Sequence, residues 1–335
     1  DVMSSRWLSR FLGSIVLLLL WILAQRWGVS RGLALMCVAW CALDLTFQYN
    51  SNLGRMDTLN ALLLLGSLLS FTAYQRDGKS WQIGLAGALG ALATLTHFIA
   101  IPPILVVGLI LLWRRKWRAV LWFVLPLLAG WAMWLSYAAQ DWQSWWGQLA
   151  LQFARKGRGG LEAFLLKIPF FQSFLPLYGV FPTNGLPLWF PLTMLSLWAW
   201  WRKHSPLTEW QTAFLTMTYF AATLGGELWY IGWFAPFGYL LLTVWVNFVH
   251  RVVRRRMWLV AFCIVLVSWQ MLKVGQAISC VPELKRSIDK FFAEVQVLLP
   301  KGAFVLLNGI PDPLPHLQRS RPDLRLVYLS PTPMV

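Results

Sequence analysis

The chain has 335 residues, of which 58% are hydrophobic and only 13% are charged, and its mean hydropathy is +0.57. A water-soluble fold of this size needs more polar surface, so the composition excludes one and indicates an integral membrane protein. Lys and Arg outnumber Asp and Glu by 29 to 13, but the basic residues cluster at the ends of apolar runs. Because cytoplasmic loops of membrane proteins are basic, we expect no nucleic-acid partner.

The apolar runs predict an all-α polytopic membrane protein with about ten spans, since about 20 residues cross the hydrocarbon as a helix. The predicted spans are residues 9–25, 32–49, 57–74, 81–96, 98–113, 119–138, 185–201, 208–225, 229–249 and 257–273. The uncharged stretch from Ser80 to Trp113 is too long for one crossing. His97, Pro102 and Pro103 interrupt it, so we expect a tight helical hairpin there.

The loops between these spans alternate between basic and basic-poor. The clustered basic residues fall in the segments 26–31, 76–79, 114–118, 202–204 and 250–256. All of these lie on one side, which we expect to be cytoplasmic. The extracytoplasmic side receives the N-terminus, residues 49–57, the bend at His97, residues 139–184, residues 225–229 and everything after 274. Residues 166–181 are expected in the interface or as a re-entrant piece, because a full crossing would move residues 254–256 outside.

Residues 1–274 form the predicted membrane module, and residues 275–335 differ from it in character. An amphipathic pattern from Ile288 to Leu299 precedes two strand-like apolar runs, 303–307 and 326–329. This order predicts a small mixed α/β appendage on the extracytoplasmic side.

Several candidate functional side chains share the extracytoplasmic side. Asp57 begins the third predicted span, His97 is at the tip of the hairpin, and Glu227 lies between two spans. Charges at bilayer depth are costly, and those that occur usually face a cavity or a partner. Each residue also has a structural interpretation: Asp57 can cap its helix, His97 can be a polar turn residue, and Glu227 borders an aromatic belt that needs no function.

A basic trio, Arg155, Lys156 and Arg158, lies on the extracytoplasmic side, against the topology rule that explains the other basic clusters. Binding of an anion, above all a phosphate, explains this trio better than a solvated loop does. An enzyme with a lipid-linked phosphate donor needs both kinds of group. A carboxylate takes a proton from the acceptor hydroxyl, and cations stabilise the departing phosphate. Asp44, within the second predicted span, has no assigned role beyond helix packing.

Three stretches between Ser5 and Trp113 carry a resemblance: SRWLSRFLGSIVLLLLWILAQRWG, LTFQYNSNLGRMD and GALGALATLTHFIAIPPILVVGLILLW. A fourth, LWYIGWFAPFGYLLLTVW, contains Tyr230 and Pro236. In this order they resemble the GT-C superfamily of multi-pass glycosyltransferases, which includes protein O-mannosyltransferases and the aminoarabinose transferase of lipid A. The likeness covers most of the chain and depends on order and topology more than on any single signature.

The resemblance implies a GT-C-type helical bundle that transfers a sugar, with inversion at the anomeric carbon, from a polyprenyl-phosphate donor. The acceptor would be a lipid, a protein or a glycan at the outer face of the cytoplasmic membrane. Carried over by position, Arg55 and Asp57 match the polar pair before the family's third span. His97 matches the turn after the family's Gly-rich helix, and Tyr230 matches the start of a later helix. Some relatives bind a divalent metal in this region, but no ligand spacing here indicates one, and no other cofactor is implied.

The start of the chain departs from the family pattern, in which the catalytic acidic residue lies in the first outer loop. The chain starts with Asp1, and its first apolar run follows Arg6 and Arg10 without a signal-peptide cleavage site. We therefore expect that the chain begins in mid-protein and that the principal base lies upstream. Asp57 and Glu227 are then supporting or metal-proximal groups.

A transporter or flippase for a lipid-linked saccharide is the main alternative function. Such proteins place broken helices and ionisable residues near the bilayer midplane, often in internal repeats. The candidate residues here share one rim of the membrane, and the two halves of the chain show no convincing repeat. A scaffold subunit without catalysis also fits, because a fold by itself does not establish a function.

Overall fold

The computed structural model describes residues 2–52, 56–156, 176–177, 181–182, 189–225, 228–253, 256–307, 321 and 323–328. Over these residues the protein is mostly helical, as the apolar runs predict. The helices up to residue 156 are α1 (Val2–Arg26), α2 (Arg31–Leu43), α3 (Leu45–Asn52), α4 (Met56–Asp77), α5 (Ser80–Thr96), α6 (Ile101–Trp113), α7 (Trp117–Ala138) and α8 (Trp142–Lys156). Short 3₁₀ turns at Phe98–Ala100 and Ala139–Asp141 precede α6 and α8.

The second part of the chain continues in the same way. Its helices are α9 (Trp189–Trp201), α10 (Glu209–Gly225), α11 (Leu228–Val253) and α12 (Arg256–Leu298). A short antiparallel pair, β1 (Pro176–Leu177) with β2 (Phe181–Pro182), precedes α9. The break predicted around His97 is confirmed, because α5 ends at Thr96 and α6 begins at Ile101 with prolines in its first turn, where a missing N–H costs least.

Four helices in the described part of the chain are long and apolar enough to cross a membrane: Ser4–Arg26, Met56–Asp77, Trp117–Leu151 and Gly232–Val252. The pair α2 and α3, bent by 64° relative to each other, makes a fifth if it counts as one span. Phe98–Trp113 and Val260–Gly275 are shorter apolar helices. The chain is therefore a helical membrane protein, and the count of ten spans stays a prediction.

The basic segments of different helices meet at one end of the bundle. Arg114, after α6, donates from Nη1 to Oε1 of Gln75 near the end of α4, at 3.1 Å. Arg251, near the end of α11, donates from Nη2 to the carbonyl of Gly28 between α1 and α2, at 2.7 Å. We call this the basic end of the bundle. The starts of α1, α4 and α11 and the C-terminus of α5 lie at the opposite end.

Small residues allow the helices to approach closely, as is common where both helix faces are apolar and packing drives association. A Cβ added to Gly87 in α5 would lie 2.9 Å from the carbonyl carbon of Phe123 in α7. Ser67 in α4 donates to the carbonyl of Ala86 in α5 at 2.7 Å. The largest fully buried side chains are Trp40, Trp189, Trp233, Tyr219, Tyr239, Phe71, Phe123, Phe214, Phe234 and Phe237. Aromatic packing therefore fills much of the core.

The chain divides into two compact units, Asp1–Val274 and Gly275–Val335, and α12 includes the boundary. In the second unit, β3 (Phe304–Leu307) pairs in parallel with β4 (Arg325–Tyr328). Just before β4, Asp323 receives hydrogen bonds from Arg321 Nε at 2.8 Å and from the backbone N–H of Gly302 at 3.0 Å. The α/β fold of the whole segment and its extracytoplasmic side stay predictions.

Candidate functional site

Asn60 joins three helices at the end opposite the basic end. Its side chain is fully buried in α4, where its Nδ2 donates to the carbonyl of Ala93 at 2.6 Å and to the carbonyl of His97 at 3.5 Å. Its Oδ1 accepts from the indole N–H of Trp233 in α11 at 2.6 Å. One amide therefore ties the start of α4 to the C-terminus of α5 and to the first part of α11.

Asp57 lies one helical turn before Asn60, so both side chains belong to one face of α4. It is only 1% exposed. The sequence predicts a carboxylate at the membrane rim, and the structure buries it. A place in the first turn favours a carboxylate, because the N-terminal end of a helix carries positive potential. That position inside the first turn does not require burial, which is costly for a carboxylate.

Hydroxyl groups from two helices converge beside Asp57. Thr58, its neighbour in α4, donates to the carbonyl of Asn50 in α3 at 3.3 Å. Ser9 in α1 lies 3.4 Å from both that carbonyl and the Thr58 hydroxyl. Both hydroxyl side chains are buried. The start of α4 is therefore surrounded by polar groups of α1 and α3, although α1 and α4 are largely apolar.

His97 lies between the end of α5 and the 3₁₀ turn before α6, and it caps both. Its backbone is extended, and its Nδ1 accepts a hydrogen bond from the N–H of Ile99 at 3.1 Å. A ring nitrogen that accepts must be unprotonated, so this contact favours the neutral imidazole with its proton on Nε2. His97 is half-buried. Its carbonyl, like that of Ala93, accepts a hydrogen bond from Asn60 Nδ2. The structure thus brings His97 to the same polar region as Asp57.

The other predicted site residues are described only in part or not at all. Arg55, Arg158 and Glu227 lie outside the described residues. The backbones of Arg155 and Lys156 belong to the last turn of α8, and that of Tyr230 to the first turn of α11, but their side chains are not described. Their predicted roles in phosphate and donor binding stay predictions.

Arg10 is an exposed cation at this end of the bundle that the sequence did not single out as a site residue. It lies in α1 beside Ser9 and donates from Nε to Oδ1 of Asn52 at 2.6 Å. Its guanidinium also lies 5.2 Å from the ring centroid of Trp7. The signal available in the sequence was a basic residue on the side where the topology rule expects few.

Six aromatic rings follow His97 along this end of the bundle. Phe98 stacks on Trp131 with ring centroids 6.1 Å apart, and Trp131 packs edge-on against Trp134 at 5.5 Å. Trp134 in turn meets Trp145 of α8 at 5.4 Å. The remaining rings are those of Trp142 and Trp146. Indole rings of this kind are typical of the membrane–water interface.

Asp44 marks the break between α2 and α3. It is fully buried and accepts from the Phe47 N–H at 2.9 Å and from the hydroxyl of Thr46, so it caps α3. Tyr239 in α11 donates its hydroxyl to Oδ2 of Asp44 at 2.8 Å and accepts from Gln270 in α12. The bond to Tyr239 agrees with the sequence interpretation of Asp44 as a helix-packing contact, but the sequence did not indicate the helix break at this residue.

No group of three or more His, Cys, Asp and Glu side chains among the described residues is arranged to hold a metal ion. Of the predicted site residues, Asp57 and His97 are the two described ones of a suitable type, and Asn60 in the helix of Asp57 contacts the His97 carbonyl. The described geometry therefore supports hydrogen-bonding and charge effects at this end and identifies no metal ligands.

The chain was compared with known protein families, curated proteins and solved structures. No protein-family model, no curated protein and no solved structure matches this chain.

Proposed function

We propose that the protein transfers a sugar from a polyprenyl-phosphate donor to an acceptor at the outer face of the cytoplasmic membrane. The reaction would invert the anomeric carbon, and the acceptor would be a lipid, a protein or a glycan. In this proposal the basic end faces the cytoplasm and residues 275–335 are extracytoplasmic. Membrane lipids surround the bundle, and the donor's tail stays among them.

One observation carries the proposal: a buried carboxylate, Asp57, stands at the end opposite the basic loops, one turn from the Asn60 amide that contacts the His97 turn. Carboxylates are rare at bilayer depth and usually serve a cavity or a partner. The surrounding hydroxyl groups of Ser9 and Thr58 make this region polar in an otherwise apolar bundle. This polar region is suited to the head group of a lipid-linked substrate.

The chemistry divides between carboxylates and cations. Asp57, and Glu227 with it in the proposal, would orient the acceptor hydroxyl or stabilise positive charge that develops on the sugar. Arg155, Lys156 and Arg158 would stabilise the departing polyprenyl phosphate. Arg10, which lies at the same end as Asp57, is a further candidate for phosphate binding.

Asp57→Asn tests this proposal, with Asp77→Asn as the matched control at the other end of α4. Full-length protein in nanodiscs is given a polyprenyl-phosphate sugar, and release of polyprenyl phosphate is followed together with labelling of the acceptor. We expect Asp57→Asn to lower turnover about 100-fold, because removal of one preorganised charge typically has this effect. Asp77 ends α4 at the basic end, where it is ion-paired with Arg76 at 3.0 Å. Because it lies away from Asp57, its variant should keep wild-type turnover.

A variant Asp57→Asn that turns over at the wild-type rate would remove Asp57 from the site. Arg158→Ala should weaken donor binding without loss of the fold, and unchanged donor affinity would indicate a solvated loop. Melting temperatures of all variants are measured in parallel to separate activity from folding.

A lipid-linked saccharide transporter is the second candidate, and the break at Asp44 favours it. The segment α2–α3 is bent by 64°, with a fully buried carboxylate at the break and Tyr239 of α11 bound to it. Broken helices with ionisable residues are characteristic of transporter sites. The capping bond to Phe47 explains Asp44 structurally, which is why we place this function second.

Proteoliposomes separate the two functions. Movement of a labelled lipid-linked sugar across the bilayer, without any glycosylated product, would overturn the transferase proposal. In that case Asp44→Asn should abolish movement while Asp57→Asn leaves it intact. Formation of product that depends on Asp57, without movement of the donor, would support the transferase.

A further inference from the structure

A cavity of about 230 Å³ opens at the basic end, far from the polar region around Asp57. It lies between the C-terminal ends of α1 and α4 and the start of α10. The lining residues are Arg26, Trp27, Thr72, Gln75, Arg76, Thr208, Trp210 and Gln211. Since a single water needs only about 10–15 Å³, this cavity has room for a group of several heavy atoms.

The cavity is positively charged. Its lining contains two arginines and no carboxylate. Arg76 uses Nε to bind the neighbouring Asp77 at 3.0 Å, and both of its terminal nitrogens keep donors for a further acceptor. Arg26 forms no ion pair with any carboxylate in the described part of the chain. The two guanidinium groups therefore favour an anion.

Gln75 adds an amide donor to this lining. Its Oε1 accepts from Arg114 Nη1 at 3.1 Å, which orients Nε2 as the donor. That Nε2 is buried and has no hydrogen-bond partner among the described residues. An unpartnered buried donor is uncommon in folded proteins, because leaving it unpaired costs free energy. An acceptor bound in the cavity would satisfy it once the amide turns Nε2 toward the cavity.

The start of α10 supplies a second oriented amide and rigid walls. Gln211 accepts at Oε1 from the N–H of Thr208 at 2.8 Å, so its Nε2 is also a donor. Trp210 packs edge-on against Trp27 at 5.7 Å and against Phe71 at 5.1 Å. The indole N–H of Trp27 donates to the Thr72 hydroxyl at 3.3 Å. These contacts pack the aromatic wall of the cavity against α1 and α4.

We propose that this cavity binds a phosphate-bearing anion, either the head group of an anionic phospholipid or free phosphate. Two guanidinium groups and two amide donors match the oxygen atoms of a phosphate. The rule that cytoplasmic loops are basic explains why Arg26 and Arg76 lie on one side of the membrane. It does not explain why the two arginines share a cavity with an unpartnered amide donor.

The position of the cavity places it at the level of lipid head groups. Arg26 ends α1 and Arg76 is the second-last residue of α4, and both helices are long enough to cross the membrane. Anionic lipids concentrate at the cytoplasmic leaflet and attract basic residues there. A lipid phosphate can therefore enter without leaving the interface.

Native mass spectrometry of the detergent-solubilised full-length protein tests this site with three probes: phosphatidylglycerol, phosphatidylcholine and inorganic phosphate. We expect phosphatidylglycerol or inorganic phosphate to bind at least tenfold more tightly than the zwitterionic phosphatidylcholine. Phosphatidylglycerol alone would identify the lipid head group. Equal affinity for inorganic phosphate would identify the free anion.

Two variants should lose the site by different means. The double variant Arg26→Gln with Arg76→Gln removes both cations and should lower affinity at least tenfold. Gln75→Glu keeps an acceptor for Arg114 but replaces the cavity's amide donor with a carboxylate, and should abolish binding. The matched control changes Arg31 and Lys79, which lie at the same end but do not line the cavity, to Gln, and should bind as the wild type does.

The proposal is overturned if the control lowers affinity as much as the cavity variants do, since binding would then follow the net charge of the basic end. It is also overturned if Gln75→Glu binds the anion like the wild type. If the double variant does not fold, as judged by its melting temperature, Gln75→Glu decides the question.

Discussion

The indole N–H of Trp233 donates a 2.6 Å hydrogen bond to Oδ1 of Asn60, a residue 173 positions earlier in the chain. Asn60 is fully buried and Trp233 is 1% exposed. The same amide donates to the carbonyl of Ala93. Loss of this side chain would therefore leave the Trp233 indole N–H without its acceptor, whereas the Ala93 carbonyl keeps its bond from the His97 N–H at 3.0 Å.

A double-mutant cycle on this pair should show coupling. Trp233→Phe removes the donor and keeps a ring, and Asn60→Leu removes the acceptor at similar volume. We expect a coupling free energy between about 0.6 and 1.7 kcal/mol, the average and the maximum found for hydrogen bonds between membrane helices. The measurement is unfolding of the purified protein in mixed micelles. Coupling near zero would mean that each group finds another partner.

Gly232 should not tolerate a side chain. A Cβ at this position in α11 would overlap the carbonyl oxygen of Thr46 in α3 and lie 2.6 Å from Asn50 Nδ2. We expect Gly232→Ala to lower the free energy of unfolding by about 1–3 kcal/mol, as overpacking does. Gly147→Ala in α8 is the control, because no atom lies within 4 Å of its added Cβ. Equal thermal stability of the two variants would contradict the close approach of α3 and α11.

The His97 ring should be replaceable by a side chain that can accept the same hydrogen bond. Asn places an oxygen near the position of Nδ1, so His97→Asn should keep the bond from the Ile99 N–H. His97→Ala loses it, and we expect a loss of about 1 kcal/mol, as for other helix caps. Thermal unfolding of the two variants is the measurement. If both lose the same stability, the ring has contacts that matter more than this bond.

Acid should weaken the start of β4 through Asp323. The Arg321 guanidinium, together with the Gly302 N–H, holds the pKa of this carboxyl well below its usual range. A lowered pKa in the folded state stabilises the fold above the ordinary Asp pKa of about 3.9, and this contribution is lost as the pH falls through the folded value. Exchange of the Val305 and Leu306 amides, corrected for intrinsic rates, should therefore rise from about pH 5 downward.

Asp323→Asn removes this acid dependence at its source. Its amide exchange should be faster than that of the wild type at neutral pH and should change less on acidification. Glu294→Gln is the control, because Glu294 and Lys290 are exposed and 3.9 Å apart, and exposed pairs contribute little. An unchanged pH profile in Asp323→Asn would assign the acid sensitivity to another group.

The apolar runs were sufficient to predict a helical membrane protein and the break after Thr96. Helices satisfy their own backbone groups in lipid, so a long uncharged run has few other structures available. The same patterns identified Asp57 and His97 as polar residues of one end. Asn60, which contacts the His97 turn, was a third polar residue on the Asp57 face and could have been included from its spacing.

Which polar groups meet depended on the tertiary structure. Asn60 contacts Trp233, and Asp44 contacts Tyr239, across 173 and 195 positions respectively. A residue pattern in a membrane helix does not separate faces that meet lipid from faces that meet another helix, because both are apolar. The bend at Asp44 and the cavity of Arg26 and Arg76 likewise arise only when distant helices pack, since their partners come from α11 and α10.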